Sequence, residues 1–239
     1  MIKNYFKNAL DWDQRIRDRF VCKWLRSIKP GYIIDIGAGG GPYSKLAVEL
    51  GFDYKSQDFC QLPNHLIHEG KYKSIDYISD ATMVPVESAS FDYVLCTEVL
   101  EHHPYPDQVV AEIARLLKAN GVALLTFPTL TPGHQRPFWF FSGFSPEWAV
   151  KVLNDHQLIS SYIGYPFNGP INLLKLLIAN LSLNLKLLGD RKSFFYAALA
   201  LPLNLISTLF GGLSAIMIDK YDLYKNYQYG LIVVAKKST

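Results

Sequence analysis

Apolar and polar residues change period several times along the chain, and each change marks an element. Ile16, Phe20, Trp24 and Ile28 recur every four positions, with Arg15, Arg17, Asp18 and Arg19 between them. That spacing predicts a helical segment within residues 1–30, ended by Pro30-Gly31 and packed on a sheet edge. Tyr32-Ile33-Ile34-Asp35-Ile36 follows as a mostly apolar, β-branched run, as a strand buried on both faces requires. Gly37-Ala38-Gly39-Gly40-Gly41 stops it. Residues 44–50 read as a crossover helix ended by Gly51, and residues 53–59 as a second strand. Residues 62–74 are loop-like. Residues 75–79 and 91–96 read as the third and fourth strands. A helix over 107–117 has Val109, Val110, Ile113, Leu116 and Leu117 as its apolar face and stops at Asn120-Gly121; residues 122–127 form the fifth strand. Ser145-Pro146-Glu147 starts another helix, with a capping serine, a proline in the first turn and an acid near the positive end of the dipole. It runs to about residue 154 and leads to a sixth strand over 158–163. Residues 229–236 form the last strand. Strands alternating with helices of this length predict an α/β fold on a parallel sheet.

At 239 residues, 49% of them apolar, the chain holds one domain or one domain with an embellishment. Its net charge of +3 is too small to argue for nucleic acid. The charge is uneven: from Lys151 onward nine Lys/Arg face four Asp/Glu, against 15 and 17 before it. Cys22, Cys60 and Cys96 are odd in number and unpatterned, which fits a reducing cytoplasm and argues against a disulfide frame or a zinc site. His65 and His68, three apart in the loop, read as a surface pair, so no metal is expected. Met1-Ile2-Lys3-Asn4-Tyr5 leads into charged residues, and no signal peptide is expected.

The glycine loop narrows the chemistry. Gly37, Gly39 and Gly41 allow a tight turn and close approach of a ligand at the carboxyl end of the first strand, where α/β folds bind. A dinucleotide loop would read G-x-G-x-x-G, and Pro42 stands where its third glycine belongs. Asp35-x-Gly37-x-Gly39-x-Gly41 instead resembles the first motif of the class I S-adenosylmethionine-dependent methyltransferases. Gln57-Asp58-Phe59 ends the second strand, where an acid accepts hydrogen bonds from ribose hydroxyls. Asp80-Ala81 resembles the family's third motif. The run Thr97-Glu98-Val99-Leu100-Glu101-His102-His103-Pro104 resembles the segment after its fourth strand. The resemblance covers residues 31–127 well and residues 144–162 weakly. It implies a Rossmann-like seven-stranded sheet with helices on both faces and the last strand antiparallel beside the sixth. It also implies S-adenosyl-L-methionine as cofactor. Asp35, Gly37, Ala38, Gly39, Gly41, Asp58 and Phe59 would then hold the donor, with Asp80 and Ala81 at the adenine and Thr97 and Glu98 at the methionine end. His102 and His103 would face the methyl acceptor.

Two stretches are individual to this chain. Gly133-His134-Gln135-Arg136-Pro137-Phe138-Trp139-Phe140-Phe141 follows the fifth strand and reads as a wall for an apolar or ring-shaped acceptor, or equally as hydrophobic cover under a loop. Residues 165–219 form a long leucine-rich insertion, and no charged residue stands between Ser193 and Ile218. Pro202, Asn204, Gly211 and Gly212 interrupt that run and argue against a membrane span. A helical cap and amphipathic helices on the inner face of a membrane both remain open. The expected organisation is therefore a helical segment over 1–30, a cofactor-binding core over 31–164, the insertion over 165–219 and a final strand over 229–236. The expected activity is methyl transfer to a small-molecule, sugar or lipid-linked acceptor, at oxygen, with His102 or His103 as base and His134 behind them. A non-catalytic scaffold with the same fold and a nicotinamide-dependent oxidoreductase are the alternatives. The first is opposed by the intact glycines and Asp58, the second by Pro42.

Overall fold

The computed structural model of the chain describes residues 12–63, 72, 74–131, 133–164, 167–168 and 228–238, with helical positions 198, 200–203, 205, 206 and 210. Two compact units emerge. One comprises Arg17–Gly164 with Gly230–Thr239, the other Met1–Ile16 with Tyr165–Tyr229. In chain order the elements are α1 (Trp12–Ser27), β1 (Tyr32–Ile36), α2 (Ser44–Glu49), β2 (Asp53–Asp58), β3 (Tyr77–Ile78), β4 (Phe91–Thr97), α3 (Pro106–Leu116), β5 (Leu117–Phe127), α4 (Pro146–Asp155) and β6 (Leu158–Gly164). They continue with β7 (Phe167–Asn168), β8 (Gln228–Tyr229) and β9 (Leu231–Lys237), and a single 3₁₀ turn, Leu100–His102, follows β4.

The first unit is a seven-stranded sheet in the order β3-β2-β1-β4-β5-β9-β6. β3 to β5 are parallel, and β9 enters antiparallel between β5 and β6. The sheet and its antiparallel last strand are those the resemblance implied. The chain builds outward from β1 in one direction through β2 and β3, then restarts beside β1 with β4. The crevice between β1 and β4 is therefore the topological switch point, where such folds bind ligands.

Alternation along the strands divides the core into two layers. Ile33, Leu95 and Leu124 pack with Val21, Trp24 and Leu25 of α1 and Tyr43 and Ala47 near α2. Ile34, Ile36, Val94, Cys96, Ala123, Leu125 and Val233 pack with α3 and α4 on the other face. The N-terminal stripe is rotated one position from the expected one. Val21 and Leu25 are the deepest residues of α1, while Phe20 and Ile28 are only partly buried. Arg17, one turn before Val21, therefore lies on the inward side.

Several boundaries differ from expectation. α3 ends at Leu116 and β5 begins at once, because Leu117 is already extended (φ −70°, ψ 136°) and pairs with Phe91. Asn120-Gly121 is thus a kink inside the strand rather than a helix stop. A Cβ on Gly121 would meet the Lys118 carbonyl oxygen at 2.9 Å and that of Asp92 at 3.1 Å. Tyr229 does not belong to the last strand: it pairs with Phe167 in a two-residue ladder of the second unit, and Gly230 (φ +71°) separates the two. The loop with His65 and His68 and most of residues 169–218 lie outside the described residues. Among those described, no helix is long and apolar enough to cross a membrane.

A polar clamp fixes the connection after β3. Glu112 of α3 is buried and accepts from the Val84 amide at 2.8 Å and from Arg115 at 2.7 Å through each oxygen. Arg115 in turn donates to the carbonyls of Val84 and Val86 at 3.1 and 2.9 Å. Glu112→Ala leaves the Val84 amide and the Arg115 guanidinium without their acceptor. The expected loss in urea unfolding is about 2–3 kcal/mol, the scale of charge-assisted hydrogen bonds; a loss under about 0.5 kcal/mol, typical of a neutral surface change, would contradict this role.

Candidate active site

The glycine loop sits on the switch point and is held from below. Gly37, Gly39 and Gly41 all have positive φ (+66°, +51° and +62°). The Gly37 amide donates to Oε1 of Gln57 at 3.2 Å, and Nε2 of Gln57 donates to the Ser79 carbonyl at 2.6 Å. The Ala38 amide reaches the Gln57 carbonyl at 2.9 Å. One glutamine thus ties the ends of β1, β2 and β3 together. Asp58 accepts from the Gly39 amide through Oδ2 and from the Cys60 amide through Oδ1, each at 2.9 Å. A carboxylate offers about four lone-pair sites, so ribose-type hydroxyls still find acceptors on it.

Asp35 lies beneath the loop, 1% exposed. Its Oδ2 accepts from the Tyr54 hydroxyl at 2.8 Å, and its Oδ1 has no partner. Burial pushes its pKa up to about 7, the Tyr54 hydrogen bond opposes the rise, and the charge of Asp58 adds to it. Asp80 caps its own turn by accepting from the Thr82 amide and hydroxyl at 2.8 and 2.6 Å, and Ala81 packs against the core beside it. Burial works to raise the Asp80 pKa, but the bonds from Thr82 and His103 outweigh it and hold it below the ordinary carboxylate range.

The end of β4 supplies the opposite wall. Thr97 is half-buried, and Glu98 has left-handed backbone (φ +54°), an uncommon state for a residue with a side chain. Glu98 accepts from the Thr126 hydroxyl at 2.9 Å, and its other oxygen lies 3.7 Å from Arg17 Nη1. Burial disfavours the Arg17 charge, but Glu98, Tyr43 and Asp18 more than offset this and raise its pKa. The Tyr43 hydroxyl donates to Asp18 at 2.7 Å, which fastens α1 to the start of α2.

Beyond Glu98 the two adjacent histidines diverge. His103 accepts the Tyr105 amide on Nδ1 at 3.1 Å, so Nε2 carries the proton and donates to Asp80 at 3.1 Å. With both nitrogens used, His103 joins the Asp80 side of the crevice. His102 turns the other way: Nδ1 lies 2.5 Å from the Phe138 carbonyl, and its ring meets His134 edge-on at 4.7 Å between centroids. Burial pulls the His102 pKa down to about 4, with His134 lowering it further and the Phe138 carbonyl opposing. Glu101 is buried, and Oε2 has no partner. Burial first, then the charge of Glu98, pushes its carboxyl well above the usual range.

The aromatic loop after β5 is pinned across this end. The amides of Phe140 and Phe141 donate to the Glu101 carbonyl at 3.0 and 3.2 Å, and Phe138 meets Phe59 edge-on at 5.0 Å. The loop therefore reaches from the β4 turn back to the end of β2, over the expected acceptor and adenine positions. Sequence reasoning singled out neither Gln57, Arg17 nor Glu101. The available signals were a charged residue on an inward helix stripe, for Arg17, and an acid beside paired histidines, for Glu101.

Comparison with known proteins agrees with this fold. Residues 34–125 match the family model described as methyltransferase domain. The chain is 34% identical over 139 residues to the ubiquinone biosynthesis O-methyltransferase of Paraburkholderia phymatum, covering 55% of this chain and 58% of that protein. It is 30% identical over 126 residues to the protein of that name from Nitrosococcus oceani, covering 51% and 52%. The chain thus spans about half the length of these curated relatives. The magnesium protoporphyrin IX methyltransferase of Synechocystis, solved with S-adenosylmethionine bound, superposes with a TM-score of 0.54 at 14% identity over 98% of this chain and 85% of that one. Residues 34–125 are thus similar to a methyltransferase domain, and the sheet around them has the fold of the class I S-adenosylmethionine-dependent methyltransferases.

Proposed function

We propose that this protein transfers the methyl group of S-adenosyl-L-methionine to a hydroxyl oxygen of a small-molecule, sugar or lipid-linked acceptor. The observation that carries the reading is the glycine loop at the switch point with Asp35 and Asp58 beneath it. Loop amides suit the carboxylate of the cofactor, while Asp35 and Glu98 suit its ammonium. Asp58 takes the ribose hydroxyls, Phe59 and Ala81 lie against adenine, and Asp80 accepts from its amino group. Thr97 lines the methionine end, with Gly37, Ala38, Gly39 and Gly41 forming the cradle.

The donor is already activated by its sulfonium charge, so the protein's main task is alignment. An oxygen lone pair forms the new bond to the methyl carbon as the carbon–sulfur bond breaks, and the bonding pair stays on sulfur as a neutral thioether. The hydroxyl proton leaves toward His102, with His134 behind it, since both nitrogens of His103 are already used. The relatives' name, an O-methyltransferase of ubiquinone biosynthesis, supports oxygen as the accepting atom. Contact with a membrane through residues 170–218 is supported by Leu203 and Phe210, each 70% exposed.

Calorimetry with S-adenosylhomocysteine, beside Asp58→Ala, tests the cofactor site. Micromolar binding that the substitution weakens about tenfold or more is the expected result, the loss of a charged hydrogen-bond acceptor. Absence of binding at millimolar ligand would overturn the reading and leave a scaffold with a methyltransferase fold.

A further inference from the structure

We propose that Glu101, His102 and His134 form a binding site for one divalent transition-metal ion at the end of β4. The sequence suggests no such site, because its ligands come from the 3₁₀ turn and from the loop after β5. The fold brings one ligand atom from each residue within 4.8 Å of the others. Bonds of about 2.1 Å to a common ion place ligand atoms about 3–3.5 Å apart. Closing on an ion therefore takes shifts of about 1 Å, and His134 stands on a loop.

Three further observations point to a cation. The Glu101 side chain is 1% exposed, yet Oε2 has no hydrogen-bond partner. Its Oε1 faces Nε2 of His102 at 3.7 Å. The Phe138 carbonyl can only accept, so the 2.5 Å contact assigns the proton of His102 to Nδ1 and leaves a lone pair on Nε2. Nε2 of His102 and the Glu101 carboxyl then face each other in a largely buried place, 3.7 Å apart and beyond hydrogen-bond distance. A ring N–H donated to a backbone carbonyl is the contact that orients metal-ligating histidines and leaves the other nitrogen for the ion. The Phe140 and Phe141 amides bind the Glu101 carbonyl and hold the His134 loop against this turn.

Two imidazoles and one carboxylate suit zinc, manganese or ferrous iron better than magnesium or calcium, which prefer oxygen-rich sites. Three protein ligands leave a position open, as in catalytic metal sites. On the methyl-transfer reading, that position takes the acceptor's hydroxyl oxygen. The ion's charge lowers the hydroxyl pKa, the O–H proton passes to water, and the oxygen keeps its electron pair for attack on the methyl carbon. His102 and His134 then serve as ligands rather than as bases.

The test is a titration of the chelator-treated full chain with Co²⁺, followed by its visible absorbance, beside His134→Ala and Glu101→Gln. The expected result is saturable one-to-one binding that each substitution weakens at least tenfold. Circular dichroism checks folding, and His134→Ala decides alone if Glu101→Gln does not fold. No saturable absorbance at millimolar Co²⁺, or binding that His134→Ala leaves unchanged, would overturn the site. The latter outcomes fit a proton shared between Glu101 and His102. Titration of the same samples with S-adenosylhomocysteine separates the two proposals. Cofactor binding without Co²⁺ binding removes only the metal; Co²⁺ binding without cofactor binding removes only the methyl-transfer reading.

Discussion

Gly37→Ala is expected to lower the unfolding free energy by about 2–4 kcal/mol and to weaken S-adenosylhomocysteine binding beyond measurement. Two costs add. Gly37 has φ +66°, a left-handed backbone that costs a residue with a Cβ about 1–2 kcal/mol. The new Cβ would also stand 2.4 Å from Cγ2 and 3.2 Å from Cγ1 of Val99. Valine is stiff at χ1 and cannot turn aside, so the overpacking adds about 1–2 kcal/mol. Both the loop and the turn carrying Glu98 must shift, and these are the two walls of the crevice. Adding Val99→Ala to the variant removes the clash but not the backbone cost. A double-mutant cycle in urea unfolding should show a favourable coupling of about 1 kcal/mol or more. Zero coupling would mean that Val99 does not press on the loop.

Where local chemistry decides, the chain's sequence announces the fold. The β-branched run to Ile36, the left-handed glycines and the Ser145 cap are each determined within a few residues, and the structure has them where expected. The Ser145 hydroxyl accepts from the Trp148 amide at 3.1 Å, as an N-cap should. Where tertiary contacts decide, the reading slips. Asn120-Gly121 has the composition of a helix stop, but pairing of Leu117 with Phe91 draws the chain into the sheet several residues earlier. The α1 stripe is displaced by one position because several apolar residues could face inward. Packing chose Val21 and Leu25 and thereby drew Arg17 to the crevice.

The candidate site divides the same way. Asp35 and Asp58 stand in the last two residues of their strands and Asp80 and Glu98 just beyond theirs, so the crevice can be read from the strand pattern. Pairs across the fold cannot. Nothing near His102 in sequence indicates that the Phe138 carbonyl would take one of its nitrogens or that His134 would meet its ring. Equally, the adjacent His102 and His103 look interchangeable until the turn aims one at the aromatic loop and the other at Asp80.

Asp35→Asn should make the protein more stable and a poorer binder, both in a pH-dependent way. The folded carboxyl titrates at about 7, raised by burial from an ordinary value of 3.8. Below about pH 3.8 both folded and unfolded forms are protonated, and the buried group carries no charge penalty. As pH rises, the unfolded chain ionises first, and folding is progressively disfavoured until the folded carboxyl also ionises near 7. Above that pH the wild-type protein carries a penalty of up to about 4 kcal/mol, three pKa units at about 1.4 kcal/mol each. Asparagine keeps an acceptor for the Tyr54 hydroxyl and has no charge to bury. Its urea midpoint should therefore exceed that of wild type at pH 8 and approach it at pH 4. Equal differences at the two pH values would show that Asp35 keeps an ordinary pKa in the fold. The retained cost has a use if Asp35 serves the cofactor's ammonium. Binding then draws on the ionised form, so wild-type affinity for S-adenosylhomocysteine should rise from pH 5 to pH 7, by up to about tenfold per unit. The variant should bind weakly at both pH values. A buried acid with one unpaired oxygen destabilises the empty fold and leaves a place where a cation is welcome. Stability lost at Asp35 and affinity for a cationic ligand at Asp35 are two readings of the same unpaired Oδ1.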